Sequence, residues 1–178
     1  MFIKEERKVF LDTDEELRIL QLTDMQVIDA SQRRSPGRIS ASEIERWAPE
    51  NAEKNCYSHI KDVVAQTTPQ LIIITGDIVY GEFDDSGRKL REFTEFMDSL
   101  EIPWAPVWGN HDLESAIGCK AASEIFQKAK YCLFATETDD IADGTGNYAV
   151  RIYRGGKLYR AVYMLDSHGC KRAQDGRG

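Results

Sequence analysis

The 178-residue chain is 42% hydrophobic and 30% charged, a composition typical of one globular domain long enough to bury a core. Its net charge of −7, with no basic stripe, argues against nucleic acid as a main partner. The four cysteines lack CxxC spacing, and the first residues contain no apolar signal region. No segment has membrane-spanning length, so we expect no membrane association, reduced thiols and a cytoplasmic location.

The N-terminal region is predicted to form an antiparallel pair of strands. Residues 8–11 and 17–22 are strand-like and flank a polar turn, and the second run leads directly to Asp24. The polar loop that follows contains Arg33, Arg34 and Arg38. These arginines would either contact a substrate phosphate through bidentate hydrogen bonds or be ordinary surface residues, and we favour the second interpretation.

A helix interrupted near Pro49 is predicted over residues 42–68, followed by the strand that organises the sequence. Leu71–Ile74 is a continuous apolar run, β-branched after its first residue and too short for a buried helix. It therefore predicts a central strand covered on both faces. Asp77 follows this strand, after Gly76, at the position where α/β sheets bind ligands. Considered alone, Asp77 would be either a metal- or phosphate-binding residue or the cap of the next helix.

The second half of the chain is predicted to contain two helices, a strand and a hairpin. Apolar spacing indicates helices over residues 90–100 and 115–130. Residues 102–108 form the intervening strand, and their two prolines favour a place near the sheet edge. Residues 147–153 and 158–165, joined by a Gly-Gly turn, indicate a hairpin that begins a second sheet.

Polar side chains follow three of the predicted strands. Asp24 follows the first, Asp77 the second, and Asn110-His111-Asp112 the third. The 53 residues from Asp24 to Asp77, and the 33 from Asp77 to Asn110, leave room for crossover helices. Three parallel strands would then bring these side chains to one edge. Carboxylate, carboxamide and imidazole groups together suit a site for divalent or trivalent cations.

The sequence resembles the calcineurin-like metallophosphoesterases, which include the purple acid phosphatases. The matching segments are Thr23-Asp24-Met25-Gln26, Gly76-Asp77 and Gly109-Asn110-His111-Asp112. The resemblance covers residues 18–166 and implies an α/β fold, a metallophosphatase-type β-sandwich flanked by helices in αββα layers, with the second sheet only partly present. It also implies hydrolysis of phosphomonoesters or phosphodiesters at a dinuclear metal site. The two divalent or mixed-valence ions would be Fe, Mn or Zn.

The same resemblance implies a role for each matching residue. Asp24 occupies the first-metal position, Asp77 the bridging position and Asn110 the second-metal position. His111 matches the residue that stabilises the transition state and protonates the leaving oxygen. Asp112 would orient that imidazole, cap a helix, or do both.

The sequence departs from the family pattern at two places, Gln26 and the missing later histidines, and at Tyr80 it matches one branch of the family. Gln26 stands where many members have histidine, and its carbonyl oxygen is a weaker candidate ligand. Tyr80 has the spacing of the ferric-ion tyrosine of purple acid phosphatases, although tyrosine also packs commonly after a strand. The later lone histidine and the Gly-His-x-His block of the family are missing, and His168 would be a substitute or, as we favour, a surface residue.

These departures lead to expectations about the chain as a whole. We expect a single domain over residues 1–178 that corresponds to the first half of a family domain. Weak metal binding, little turnover and self-association through an incomplete second sheet would follow. The alternative is a non-catalytic binding or regulatory protein on the same scaffold. A nucleotide-binding protein is disfavoured because no Gly-rich phosphate loop is present.

Overall fold

The computed structural model describes residues 1–29, 49–84, 86–136 and 145–167, with side chains of the first helix described from Lys54. These ranges contain seven strands and three α-helices. The strands are β1 (Phe2–Ile3), β2 (Lys8–Leu11), β3 (Ile19–Leu22), β4 (Leu71–Ile74), β5 (Trp104–Pro106), β6 (Tyr148–Arg154) and β7 (Lys157–Met164). The helices are α1 (Pro49–Thr67), α2 (Arg88–Ser99) and α3 (Gly118–Lys128).

Three of the strands form a parallel sheet in the order β3-β4-β5. This confirms the predicted central strand, since β4 has a neighbour on each side. Leu71, Ile72 and Ile74 have no solvent exposure, as expected for a strand covered on both faces. The third strand is shorter than predicted, but pairing continues beyond it because the Val107 amide donates to the Ile74 carbonyl at 2.9 Å.

The other four strands form a mixed sheet in the order β1-β2-β6-β7. The hairpin predicted around the Gly-Gly turn is confirmed, because β6 and β7 pair antiparallel. The predicted N-terminal hairpin is wrong: β2 pairs with β1 and runs parallel to β6, whereas β3 belongs to the first sheet. Two strand-like runs joined by a polar turn fit a hairpin locally, but here the connection carries the chain from one sheet to the other.

The two sheets and the helices share one hydrophobic core. Tyr148 of β6 links the sheets, since its hydroxyl donates to the Pro106 carbonyl at 2.5 Å. The four-stranded sheet contributes Val9, Leu11, Val150 and Ile152 to this core, and the helices contribute Ile60, Phe93, Met97 and Phe126. Mixed sheets flanked by helices confirm the predicted α/β class.

The helix boundaries differ from prediction in ways that have local causes. α1 begins at Pro49, a position in the first turn where the missing amide costs nothing. The predicted helical segment before Pro49 and the arginine loop lie outside the described residues. α3 begins later than predicted because Asp112–Glu114 forms a 3₁₀ turn of its own. No helix in the described ranges is long and apolar enough to cross a bilayer.

Candidate active site

The carboxyl ends of β3, β4 and β5 lie at one edge of the parallel sheet, and the chain leaves each strand there through a polar segment. We call residues 23–27, 75–80 and 107–111 the exit segments. Backbone hydrogen bonds tie the first two together: the Asp24 amide donates to Gly76 at 3.1 Å and the Gln26 amide to Asp77 at 2.9 Å. The predicted convergence of the three strand ends is therefore present in the backbone.

Three of the predicted site residues have left-handed backbone conformations. The φ angles are 54° at Asp24, 44° at Gln26 and 50° at Asp77. Such angles are uncommon for residues other than glycine and cost on the order of 1–3 kcal/mol each when strained. They occur here in two adjacent exit segments, which is the clustering expected of a functional site.

Two glycines allow the second and third exit segments to touch. A Cβ atom at Gly76 would lie 2.6 Å from the Gly109 Cα atom. A Cβ atom at Gly109 would lie 2.1 Å from Asp77 Oδ1 and 2.2 Å from the Asp77 amide nitrogen. No side chain fits at either point. The glycines therefore bring the Asp77 carboxylate against the backbone that precedes Asn110 and His111.

Asp77 is hydrogen-bonded to both of the other exit segments. Its side-chain Oδ1 accepts a hydrogen bond from the His111 amide at 3.0 Å. Asp77 is only 9% exposed, whereas Asp24 and Asn110 are exposed. The Asp24 carboxylate accepts a hydrogen bond from the Thr23 hydroxyl at 2.6 Å. The exit segments themselves thus carry one buried carboxylate, that of Asp77, and two exposed side chains, the Asp24 carboxylate and the Asn110 carboxamide.

Asp112 holds two exit segments together. Its two carboxylate oxygens accept hydrogen bonds from the Val79 amide at 2.9 Å and the Gly109 amide at 2.8 Å. Burial raises the pKa of Asp112 to about 7, with the nearby Asp77 charge adding to the rise and the backbone hydrogen bonds opposing it. The sequence predicted that Asp112 orients the His111 imidazole; in the structure its oxygens bind backbone amides.

The carboxylate beside the His111 imidazole belongs to Glu114. Glu114 Oε2 lies 2.8 Å from His111 Nδ1. The sequence reasoning missed Glu114, although the spacing of three residues would have identified it had the 3₁₀ turn been expected. The His111 carbonyl accepts from the Gly81 amide at 3.0 Å, which fixes its backbone from the other side.

Tyr80 packs against the same imidazole. Its ring stacks on His111 with centroids 4.4 Å apart and planes 22° apart, and it also contacts Phe83. Tyr80 is 6% exposed. This is the packing role that the sequence left open beside a ligand role. Gln26, the other secondary candidate, is half-buried and is held through its backbone amide.

The side chains at the edge offer mainly oxygen donors to a metal. Within the described ranges, no three or more His, Cys, Asp or Glu side chains are grouped to hold an ion. Asp24 and Asp77 add carboxylates, and Asn110 and Gln26 add amide oxygens, a set that suits hard cations. His59 is exposed on α1, and His168 lies outside the described residues. The donors present therefore fit part of a cation site, one that has oxygen ligands but few imidazole ligands.

The class of protein that these features define is the metallophosphoesterases: they have an α/β scaffold with Asp, Asn and His on the segments that follow parallel strands. A model of the family described as calcineurin-like phosphoesterase matches residues 17–169, and the chain belongs to that family.

Three curated relatives share parts of the sequence. Phosphatase DCR2 of Saccharomyces cerevisiae is 34% identical over 125 residues, 66% of this chain and 22% of that protein. Two Arabidopsis thaliana proteins are named probable inactive purple acid phosphatases: number 14 is 28% identical over 82% of this chain and 37% of its own length, and number 29 is 25% identical over 90% and 43%. The chain thus spans less than half the length of these relatives. No solved structure gives a significant match.

Proposed function

We propose that this chain carries a site for metal-dependent hydrolysis of phosphate esters, located on the three exit segments. The observation that supports it most directly is the hydrogen bond from the His111 amide to Asp77 Oδ1 at 3.0 Å. It joins a metal-ligand candidate to a proton-donor candidate across two strands. Membership of the phosphoesterase family supports the same reaction class.

In this proposal Asp24, Asp77 and Asn110 would hold the cations, with Asp77 shared between two of them. Gln26 and Tyr80 stay secondary candidates. When bound, two such ions neutralise phosphate charge and supply Lewis-acid activation of water. The ions would be divalent or of mixed valence, and the substrate a phosphomonoester or phosphodiester.

Structural support, access for the substrate and proton donation would come from different residues of the chain. Asp77, buried and fixed by the His111 amide, keeps the second and third exit segments in register. Asp24 and Asn110 are exposed and would be accessible to a charged substrate. The His111 imidazole would donate a proton to the leaving oxygen, a contribution of roughly 10²–10⁴-fold in rate for a positioned acid.

The test compares Asp77→Asn with the matched control Asp14→Asn, an exposed aspartate on the turn before β3. The chain is incubated with Mn, Zn or Fe, desalted, and assayed for bound metal and for p-nitrophenyl phosphate hydrolysis. We expect the parent chain and the control to bind metal weakly and to turn over substrate slowly but measurably, and Asp77→Asn to lose up to about 100-fold in both. Equal metal content and turnover in all three chains would refute the assignment.

A second candidate function is non-catalytic binding on the same scaffold. Two observations favour it. The two Arabidopsis relatives, numbers 14 and 29, are named probable inactive purple acid phosphatases. The described residues also contain no group of three or more His, Cys, Asp or Glu side chains that could hold a metal. The same assays separate the two candidates. Calorimetric binding of inorganic phosphate by a metal-loaded chain that gives no turnover would favour the binding protein.

A further inference from the structure

The His111 imidazole is constrained on three sides. Glu114 Oε2 lies 2.8 Å from Nδ1, and the side chains of the two residues are only 19% and 18% exposed. The Tyr80 ring stacks on one face of the imidazole at 4.4 Å. The His111 amide is bound to Asp77 Oδ1 at 3.0 Å. These contacts fix the backbone, the plane and the rotation of the ring separately.

The contact with Glu114 follows from local backbone geometry. Residues Asp112–Glu114 form a 3₁₀ turn, and the Glu114 amide donates to the His111 carbonyl at 3.2 Å. With three residues per turn, side chains three positions apart lie directly above one another. Glu114 is therefore brought to the imidazole by the same turn that ends the third exit segment.

The neighbouring carboxylate does not take this place. Both oxygens of Asp112 accept hydrogen bonds from the Val79 and Gly109 amides. An ionised carboxylate only accepts hydrogen bonds, so Glu114 at Nδ1 selects the form of His111 in which Nδ1 carries the proton. Nε2 is then the ring nitrogen that Glu114 does not engage.

We propose that Glu114 is a positioning residue that fixes the tautomer and rotation of His111, so that Nε2 exchanges the proton with the leaving oxygen of the ester. The second half of this inference rests on the proposed function. The donor in this step is the imidazolium, which carries a proton on both nitrogens. As the bond from phosphorus to the leaving oxygen breaks and the bond from water oxygen to phosphorus forms, the Nε2 proton moves to the leaving oxygen, and the neutral Nδ1–H form that Glu114 stabilises remains. The proton released by water passes to solvent, from which His111 is protonated again. Glu114 keeps its own charge throughout.

The first test needs no activity. Two-bond ¹H–¹⁵N spectra of the histidine-labelled full chain, recorded at about pH 8 where an ordinary imidazole is neutral, report the tautomer of each ring. We expect the Nδ1–H form for His111 in the parent chain, and a shift to mainly Nε2–H in Glu114→Ala. Glu114→Met keeps the length of the side chain but has no oxygen acceptor, so it should shift in the same way. Glu95→Gln, an exposed glutamate on α2, should leave the His111 signals unchanged.

An unchanged His111 tautomer in Glu114→Ala would overturn the positioning role. Should Glu114→Ala fail to fold, as judged by circular dichroism, Glu114→Met still decides the point: a folded Met variant that keeps the Nδ1–H form would contradict the prediction. These outcomes do not depend on whether any chain hydrolyses a substrate. Failure of the proposed function is therefore distinguishable from failure of this inference.

The second test uses leaving groups of different basicity. A poor leaving oxygen needs the His111 proton more than a good one does. We expect Glu114→Ala to lower kcat on phenyl phosphate about 10-fold more than on p-nitrophenyl phosphate. Its KM should change little, and Glu114→Gln should recover part of the loss. Equal losses on both substrates would overturn the assignment of the proton to the leaving oxygen.

Discussion

Replacing Gly109 by alanine tests whether contact between the second and third exit segments holds the site together. The new methyl group would lie 2.1 Å from Asp77 Oδ1 and 2.2 Å from the Asp77 amide nitrogen. Ordinary contacts of this kind begin above about 3 Å, so one exit segment must move by about 1 Å. Backbone cannot yield as the tip of a flexible side chain does.

The expected cost follows from what this movement disrupts. Overpacking of a filled site costs about 1–3 kcal/mol. Moving either exit segment also strains the bonds from Gly109 to Asp112 at 2.8 Å and from His111 to Asp77 at 3.0 Å. Each contributes roughly 0.5–1.5 kcal/mol net. We therefore expect Gly109→Ala to lower the free energy of unfolding by about 2–6 kcal/mol.

Gly156→Ala is the matched control. Gly156 has a φ of 77° and nothing within 4 Å of an added Cβ, so the substitution adds backbone strain without a clash. It should cost only about 1–2 kcal/mol. Urea unfolding followed by circular dichroism gives both values, and equal slopes against urea would establish that the stability alone has changed. A Gly109→Ala chain within about 0.5 kcal/mol of the parent would refute the packing argument.

Two further predictions concern buried carboxylates. Asp112 has a pKa of about 7 when folded against an ordinary value of 3.8, so the unfolded chain loses its proton first and stability falls as pH rises from about 4 to about 7. The loss of unfolding free energy over this pH range is on the order of 4 kcal/mol when metal is removed with EDTA. Urea unfolding at several pH values measures it, and the loss should be smaller in Asp112→Asn. The same change of unfolding free energy with pH in both chains would contradict the prediction. Asp84 accepts hydrogen bonds from the Lys89 and Leu90 amides at 2.9 and 3.1 Å. Asp84→Ala should therefore destabilise the chain by about 1–2 kcal/mol in the same assay, and no change would argue against this capping of α2.

The sequence was informative where a short pattern has one structural solution. The apolar run Leu71–Ile74 is fully buried and central because a β-branched segment of that length has few other places in an α/β protein. The polar segments after the three strands lie at one edge of the sheet because parallel strands end at the same edge. Gly76, directly before Asp77, is the residue type that the close backbone approach at this point requires.

The sequence was less informative where the answer depends on backbone geometry or on a distant partner. Asp112 and Glu114 both follow His111, and only the 3₁₀ turn places the second of them at the imidazole. Alternating residues in β2 indicate a strand but not its neighbour, which is β6 at the far end of the chain. The metal ligands, the dinuclear site and self-association stay predictions, and His168 lies outside the described residues.

The residues at the edge of the parallel sheet fall into two groups: those that stabilise the exit segments and those that would bind a ligand. Asp112 and Gly109 are engaged with backbone, and changing them should disturb the fold itself. Asp24 and Asn110 are exposed, so replacing them should remove metal binding with little loss of stability. Asp77 belongs to both groups, because it is buried and bound to the His111 amide and is also the ligand that we propose to be shared between two ions. A chain that lacks Asp24 or Asn110 would therefore keep its fold and lose only metal binding, whereas a chain that lacks Asp77 would have both a weaker fold and weaker metal binding.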